Sequence, residues 1–191
     1  MIMKVTKKFI RACSLCLLLA GAGMASSCDS DTISQIINIL IGGQTYTYTG
    51  TATLQCLGNR TEAGYAELSK GTSNNMQVQL TTSTIGATAS LVIPSIKVGD
   101  VQLGPITLSQ LQISPNEAQT QSIISINETT GYGIAGSFTY SGKTNEASAL
   151  YLAEKKNYAT ASTLSLELTV YYGDDTAEAL NFTYSGKIVS Q

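Results

Sequence analysis

Tyr46-Thr47-Tyr48-Thr49-Gly50-Thr51-Ala52-Thr53-Leu54-Gln55-Cys56 alternates without a break. Tyr46, Tyr48, Gly50, Ala52, Leu54 and Cys56 fall on one side of an extended chain, and the four threonines and Gln55 on the other. Successive side chains of a strand point to opposite faces, so the stretch predicts a strand with one face in a core and one in water. The same period recurs at Met76, Val78 and Leu80, and at Tyr132, Ile134, Gly136, Phe138 and Tyr140. It returns at Leu164, Leu166, Leu168 and Val170, and at Leu180, Phe182, Tyr184, Gly186 and Ile188. Turn residues stand between these runs at Gly58-Asn59, at 71–75, Gly99-Asp100, Pro115-Asn116, 142–145 and 173–175. Short strands punctuated in this way predict an all-β fold, an antiparallel up-and-down barrel or a barrel-like sandwich. Gln110-Leu111 breaks the alternation within 106–113, which marks a bulge or a strand end there.

One six-residue string occurs twice. Residues 138–143 and 182–187 both read Phe-Thr-Tyr-Ser-Gly-Lys, and Tyr46-Thr47-Tyr48-Thr49-Gly50-Thr51 is a third, looser copy. The repetition fits a twofold arrangement of Tyr-lined strands, and equally the shared preference of curved strands for aromatics, Thr and a bend-permitting Gly.

The N-terminus reads as a processing segment. Lys4, Lys7, Lys8 and Arg11 form a basic region, and residues 12–22 an apolar one of signal-peptide length, too short to span a bilayer. Ala25, Ser26 and Ser27 lead into Cys28, the arrangement of a lipoprotein signal whose Cys becomes the acylated N-terminus. Ala25 stands where Leu is usual, so cleavage after Ala25 by ordinary signal peptidase is the alternative. The expected organisation is a signal peptide over 1–27, an anchor tether with one short helix over 28–43, and a β-domain over 44–191. The helix rests on Ile33, Ile36, Ile37, Leu40 and Ile41, with Asp31 or Thr32 as N-cap and Gly42-Gly43 as a stop.

Composition narrows the chemistry. The 191 residues include no His, which excludes Ser-His-Asp and Cys-His nucleophiles and His-ligated zinc or haem. Losing the four basic residues of the signal from a total of 11 leaves 7 against 13 acidic ones, a net charge of −6. Such a domain repels phosphate backbones, so no nucleic-acid partner is expected. Cys13 and Cys16 leave with the signal, and Cys56 is expected to pack inward as a small hydrophobe. With Cys28 unacylated, a Cys28–Cys56 disulfide is the alternative. No metal and no cofactor is expected: the Asp174-Asp175 turn lacks the ligand alternation of a calcium loop, and no glycine-rich phosphate loop is present.

The lipoprotein signal with Asp29 and Asp31 after its Cys resembles those of Bacteroidetes outer-membrane lipoproteins. The β-domain resembles their calycin-like β-barrel domain through Tyr46-Thr47-Tyr48-Thr49-Gly50-Thr51 and Val98-Gly99-Asp100-Val101-Gln102-Leu103-Gly104-Pro105-Ile106. The resemblance covers 44–191 and implies a barrel of about eight strands with no catalytic residues to carry over. It also implies a lipid anchor in the outer membrane facing the cell surface, with a periplasm-facing placement as the alternative. Asp31-Thr32-Ile33 and Asp175-Thr176-Ala177 match that phylum's O-glycosylation triplet, making Thr32 and Thr176 candidate acceptors.

Tyrosine supplies the remaining recognition chemistry, a flat apolar face with a phenolic tip. Tyr48, Tyr132, Tyr140 and Tyr184 are expected inside, whereas Tyr151, Tyr158, Tyr171 and Tyr172 lie near strand ends, where a binding rim would be. The leading expectation is a module that binds a small apolar molecule or a glycan. The second is an accessory subunit with a filled barrel that meets another envelope protein. The third is a glycan hydrolase using two carboxylates, for which the pairs are poor: Glu62 and Glu67 would face opposite sides of one strand, and Asp174 with Asp175 reads more simply as a solvated turn.

Overall fold

A computed structural model describes residues 43–83 and 87–190. The expected signal peptide, Cys28, Thr32 and the short helix lie outside the described residues. The rest is one antiparallel sheet of thirteen strands: β1 (Thr45–Thr61), β2 (Gly64–Thr82), β3 (Thr88–Ile93), β4 (Ile96–Val98), β5 (Val101–Leu103), β6 (Ile106–Pro115), β7 (Ser122–Ser125), β8 (Gly133–Ala135), β9 (Ser137–Tyr140), β10 (Lys143–Leu152), β11 (Tyr158–Ala159), β12 (Thr163–Tyr172) and β13 (Glu178–Ser190).

Eight of these strands close on themselves. The order runs β11-β7-β6-β3-β2-β1-β13-β12, and β11 pairs with β12 as well as β7, which completes a ring. Closure removes the free edges that an open sheet exposes. The long strands β1, β2, β12 and β13 continue beyond this ring. There β12 exchanges β11 for β10, and the sheet runs on through β9, β5 and β4. β4 comes back against β2, with Val98 over Gly71 and Gly99 beside Ser69. β6 changes partners in the same way, pairing antiparallel with β8 at Thr107–Ser109 and with β7 at Gln112–Pro115. Between the two sits Gln110 with φ +59°, the bulge that the broken alternation at Gln110-Leu111 announces.

The alternation puts the expected side chains inside. Tyr46, Tyr48, Ala52, Leu54 and Cys56 of β1 are buried with Leu164, Leu166, Leu168 and Val170 of β12 and Leu180, Phe182 and Tyr184 of β13 in one continuous core. Phe138, Val101 and Leu103 fill the far end, where the Phe138 and Tyr172 rings lie 5.3 Å apart. The interior of the barrel is thus occupied by side chains. Tyr132 and Tyr140, expected inside, are half-buried and pack against this core.

Two expectations about turns are corrected. Gly58-Asn59 and residues 71–75 lie within β1 and β2, and the hairpin between them turns later, at Glu62-Ala63. The glycines there serve packing: a Cβ on Gly58 would press on the Leu68 side chain, and one on Gly71 would meet Val98 Cγ1 at 3.0 Å. The two Phe-Thr-Tyr-Ser-Gly-Lys strings also fold differently. In the first, Ser141 (φ +50°) and Gly142 (φ +77°) make the two-residue turn between β9 and β10, with Tyr140 opposite Lys143. The second runs straight through β13, where Gly186 faces Gly50 of β1.

Both ends of the domain leave from one pole. The Thr82 amide donates to the Gln44 carbonyl at 2.9 Å, and Thr47 of the first strand is opposite Ser190 of the last.

Candidate functional site

The outer face of β1, β2, β12 and β13 is rich in hydroxyls and amides: Thr47, Thr49, Thr51, Thr53 and Gln55 on β1, Gln77 and Gln79 on β2, Ser165 and Thr169 on β12, and Asn181, Thr183 and Ser185 on β13. Register sets Gln55, Asn181, Thr169 and Tyr151 side by side on β1, β13, β12 and β10. Their side chains are joined in one direction. Thr169 Oγ1 donates to Asn181 Oδ1 at 2.9 Å, Asn181 Nδ2 to Gln55 Oε1 at 3.0 Å, and Gln55 Nε2 to Glu67 Oε2 at 2.6 Å. Tyr151 ends the row with 56 % of its surface exposed; Val189 is the other large hydrophobic this open among the described residues.

A hollow of about 310 Å³ opens beside Tyr151, lined by Ala153, Glu167, Thr169, Asn181 and Thr183. It lies at the exchange of partners on β12: β10 departs after Leu152, and β11 joins only at Tyr158. Asn157, fully buried, bridges the split. Its Nδ2 donates to the carbonyls of Ala153 (2.9 Å) and Glu167 (3.0 Å), and its Oδ1 accepts from the Glu167 amide at 2.9 Å. A side chain thereby replaces a missing stretch of ladder, and the sheet keeps an open notch on its outer surface.

The expected rim tyrosines separate. Tyr151 lies on the shelf, and Tyr158, half-buried on β11, stands beside Ser165 on the same outer face. Tyr171 is half-buried on that face nearer the far pole. Tyr172 is no rim residue: it is fully buried against Phe138. The parity of Leu164, Leu166, Leu168 and Val170 carries the inward face on to Tyr172, a signal present in the sequence. Gln55, Asn181, Thr169 and Glu67 were not foreseen as partners, because nothing local announces cross-strand neighbours up to 126 residues apart.

The carboxylate pairs do not converge into a pocket. Glu62 is exposed on the β1–β2 turn and Glu67 is engaged by Gln55, while Asp174 and Asp175 form a 3-10 turn after β12. Among the described residues no group of three or more His, Cys, Asp or Glu is placed to hold a metal. Thr176 is half-buried and held: Arg60 Nη1 donates to its Oγ1 at 2.5 Å, and Tyr65 Oη to its carbonyl at 2.7 Å.

Burial dominates the titration of the core. It pushes the Tyr184 phenol up to about 12 and raises Tyr46, Tyr48 and Tyr172 as well. Cys56 is free, buried and raised from 9.0 to about 11 by the same desolvation. Folding favours the protonated thiol, so its contribution to stability is complete below pH 9.0 and is lost as the pH climbs toward about 11. Cys56 should leave a thiol-specific disulfide reagent unreacted at pH 8 in the native protein and react at once in denaturant. Fast native reaction would contradict its burial.

Comparison with family models, with curated proteins and with solved structures finds no match to this chain.

Proposed function

We propose that the chain is a surface lipoprotein whose β-domain is a binding module, and that the seat of its ligand is the outer shelf at Tyr151 rather than the barrel interior. The observation that carries this reading is the pairing of an exposed aromatic ring with a pre-ordered polar row at the edge of a notch. Rigid aromatic surface beside a few oriented polar groups is what a small polar ligand or a sugar needs from a protein. The anchor through Cys28, and with it the outer-membrane placement, is supported by the basic and apolar segments that precede that residue. A second reading, an accessory subunit of an envelope complex, is favoured by the filled interior.

Native mass spectrometry of the full chain in detergent, after incubation with a pool of soluble oligosaccharides and small amphiphiles, tests the two. A bound mass on the wild-type chain is expected, with affinity about 10- to 100-fold lower for Tyr151→Ala, the worth of covering one aromatic side chain. An equal bound mass on Tyr151→Ala, or none on either, would overturn the shelf. A co-purifying protein held by both forms would support the accessory reading.

A further inference from the structure

We infer that the shelf takes a neutral glycan chain laid across the strands, with Tyr151 stacking on one sugar and Gln55 and Asn181 deciding specificity. This rests on the shelf being the ligand seat, and it adds the chemistry of the ligand and its direction. Strands stand about 4.8 Å apart, so the row from Tyr151 to Gln55 crosses three spacings, about 14 Å. That length suits a short oligosaccharide better than a single small molecule.

The row is pre-set for hydroxyl groups. Each amide spends one N–H and one carbonyl lone pair on its neighbours, which leaves Asn181 and Gln55, half-buried on the outer face, each a second N–H and a second lone pair. Thr169 Oγ1 keeps its acceptor capacity. Donors and acceptors therefore alternate along the row, fixed in orientation by the relay that ends on the Glu67 carboxylate. A hydroxyl both donates and accepts, so a chain of sugars can satisfy every position without bringing charge.

Charge disfavours acidic chains. Glu167 lines the hollow and Glu67 closes the row, with Lys70 opposite Gln55 on β2 as the near cation. Two carboxylates about the seat repel an acidic polysaccharide. The same carboxylates attract a cationic oligosaccharide, which is therefore the competing ligand to be measured beside the neutral ones.

Isothermal titration of the full chain in detergent with cellohexaose, mannohexaose and maltohexaose, and with oligogalacturonate and chitosan hexamer as charged counterparts, tests this. Binding of at least one neutral hexasaccharide is expected, with Gln55→Ala and Asn181→Ala each about tenfold weaker, the loss of one or two hydrogen bonds. Gln55→Leu and Asn181→Leu keep side-chain bulk, remove the polar groups without adding charge beside Glu67 and should weaken binding equally; they serve if an alanine variant melts early. Tighter binding of either charged oligosaccharide overturns the inference, as does the absence of binding by all three neutral ones. Binding that falls with Tyr151→Ala but not with changes at Gln55 or Asn181 overturns the row and leaves the shelf standing. Tyr151-dependent capture of a non-sugar in the mass-spectrometric test has the same meaning.

Discussion

Gly50→Val is expected to lower the midpoint of thermal unfolding by about 10 °C or more, one of the two largest effects expected of a single change. Gly50 faces Gly186 across β1 and β13, and a Cβ there would overlap the Ser185 carbonyl oxygen and the Gly186 Cα. Both obstacles are backbone in the middle of a paired ladder, so neither can move without breaking the pairing. The loss should be about 3 kcal/mol or more, at the upper end for overpacking. Gly186→Ala meets the Tyr184 ring and hydroxyl instead, and that hydroxyl donates to the Met76 carbonyl at 3.3 Å; a side chain yields more readily, so the effect is smaller. Gly142→Ala, at the same place in the other copy of the repeated string, meets nothing within 4 Å and should cost only the left-handed penalty of about 1–2 kcal/mol. Thermal melts followed by circular dichroism rank the three. A Gly50→Val protein within about 1 kcal/mol of wild type, well below the overpacking range, would show that the two strands do not approach as described.

Asn157→Ala is the second large effect. It removes three hydrogen bonds from a fully buried side chain and leaves the Glu167 amide unpaired at the split in the sheet, while the Glu167 and Ala153 carbonyls keep only the Ala153 (2.9 Å) and Lys156 (3.3 Å) amides. A loss of about 3 kcal/mol in urea unfolding is expected, since buried polar groups left unpaired are penalised more than a made bond rewards. The Glu167 amide should also lose its protection from hydrogen exchange while amides of β1 keep theirs. Asn157→Asp separates the contributions: it retains the acceptor for the Glu167 amide and forfeits both donations. If the alanine variant unfolds like wild type and Glu167 stays protected, the split is not held by this side chain.

The fold was legible wherever one strand's own pattern decided it. The alternation from Tyr46 to Cys56 and from Leu164 to Val170 places the core correctly, because burying one face of a strand demands period two. The broken period at Gln110-Leu111 locates the bulge for the same reason. Glycine misled where its role was tertiary: Gly58 and Gly71 read as turns, yet they are strand residues kept small by Leu68 and Val98 from elsewhere in the chain. The repeated hexapeptide shows the same limit from the other side, since identical residues form a turn when the next strand folds back and a continuous strand when Gly50 lies opposite. Of the candidate site, Tyr151 was visible as an aromatic near a strand end, whereas the row beside it exists only through register. The alternation of β1 and β13 tells which faces pair inward but not which residues stand opposite, because the two strands lie at opposite ends of the described chain and no short turn fixes their offset.

That pairing of the first strand with the last also governs when the molecule can form. Thr47 lies opposite Ser190 and Leu57 opposite Ala179, so β1 gains its second neighbour only after nearly the entire chain has been delivered. The cost of closing so long a loop is met before the contacts that reward it, which makes folding slow and non-local. Until β13 arrives, β1 is left with one unpaired edge, so a chain truncated before Glu178 remains open to association with other copies. During synthesis the sheet is therefore unfinished until the last strand emerges, and it closes only then.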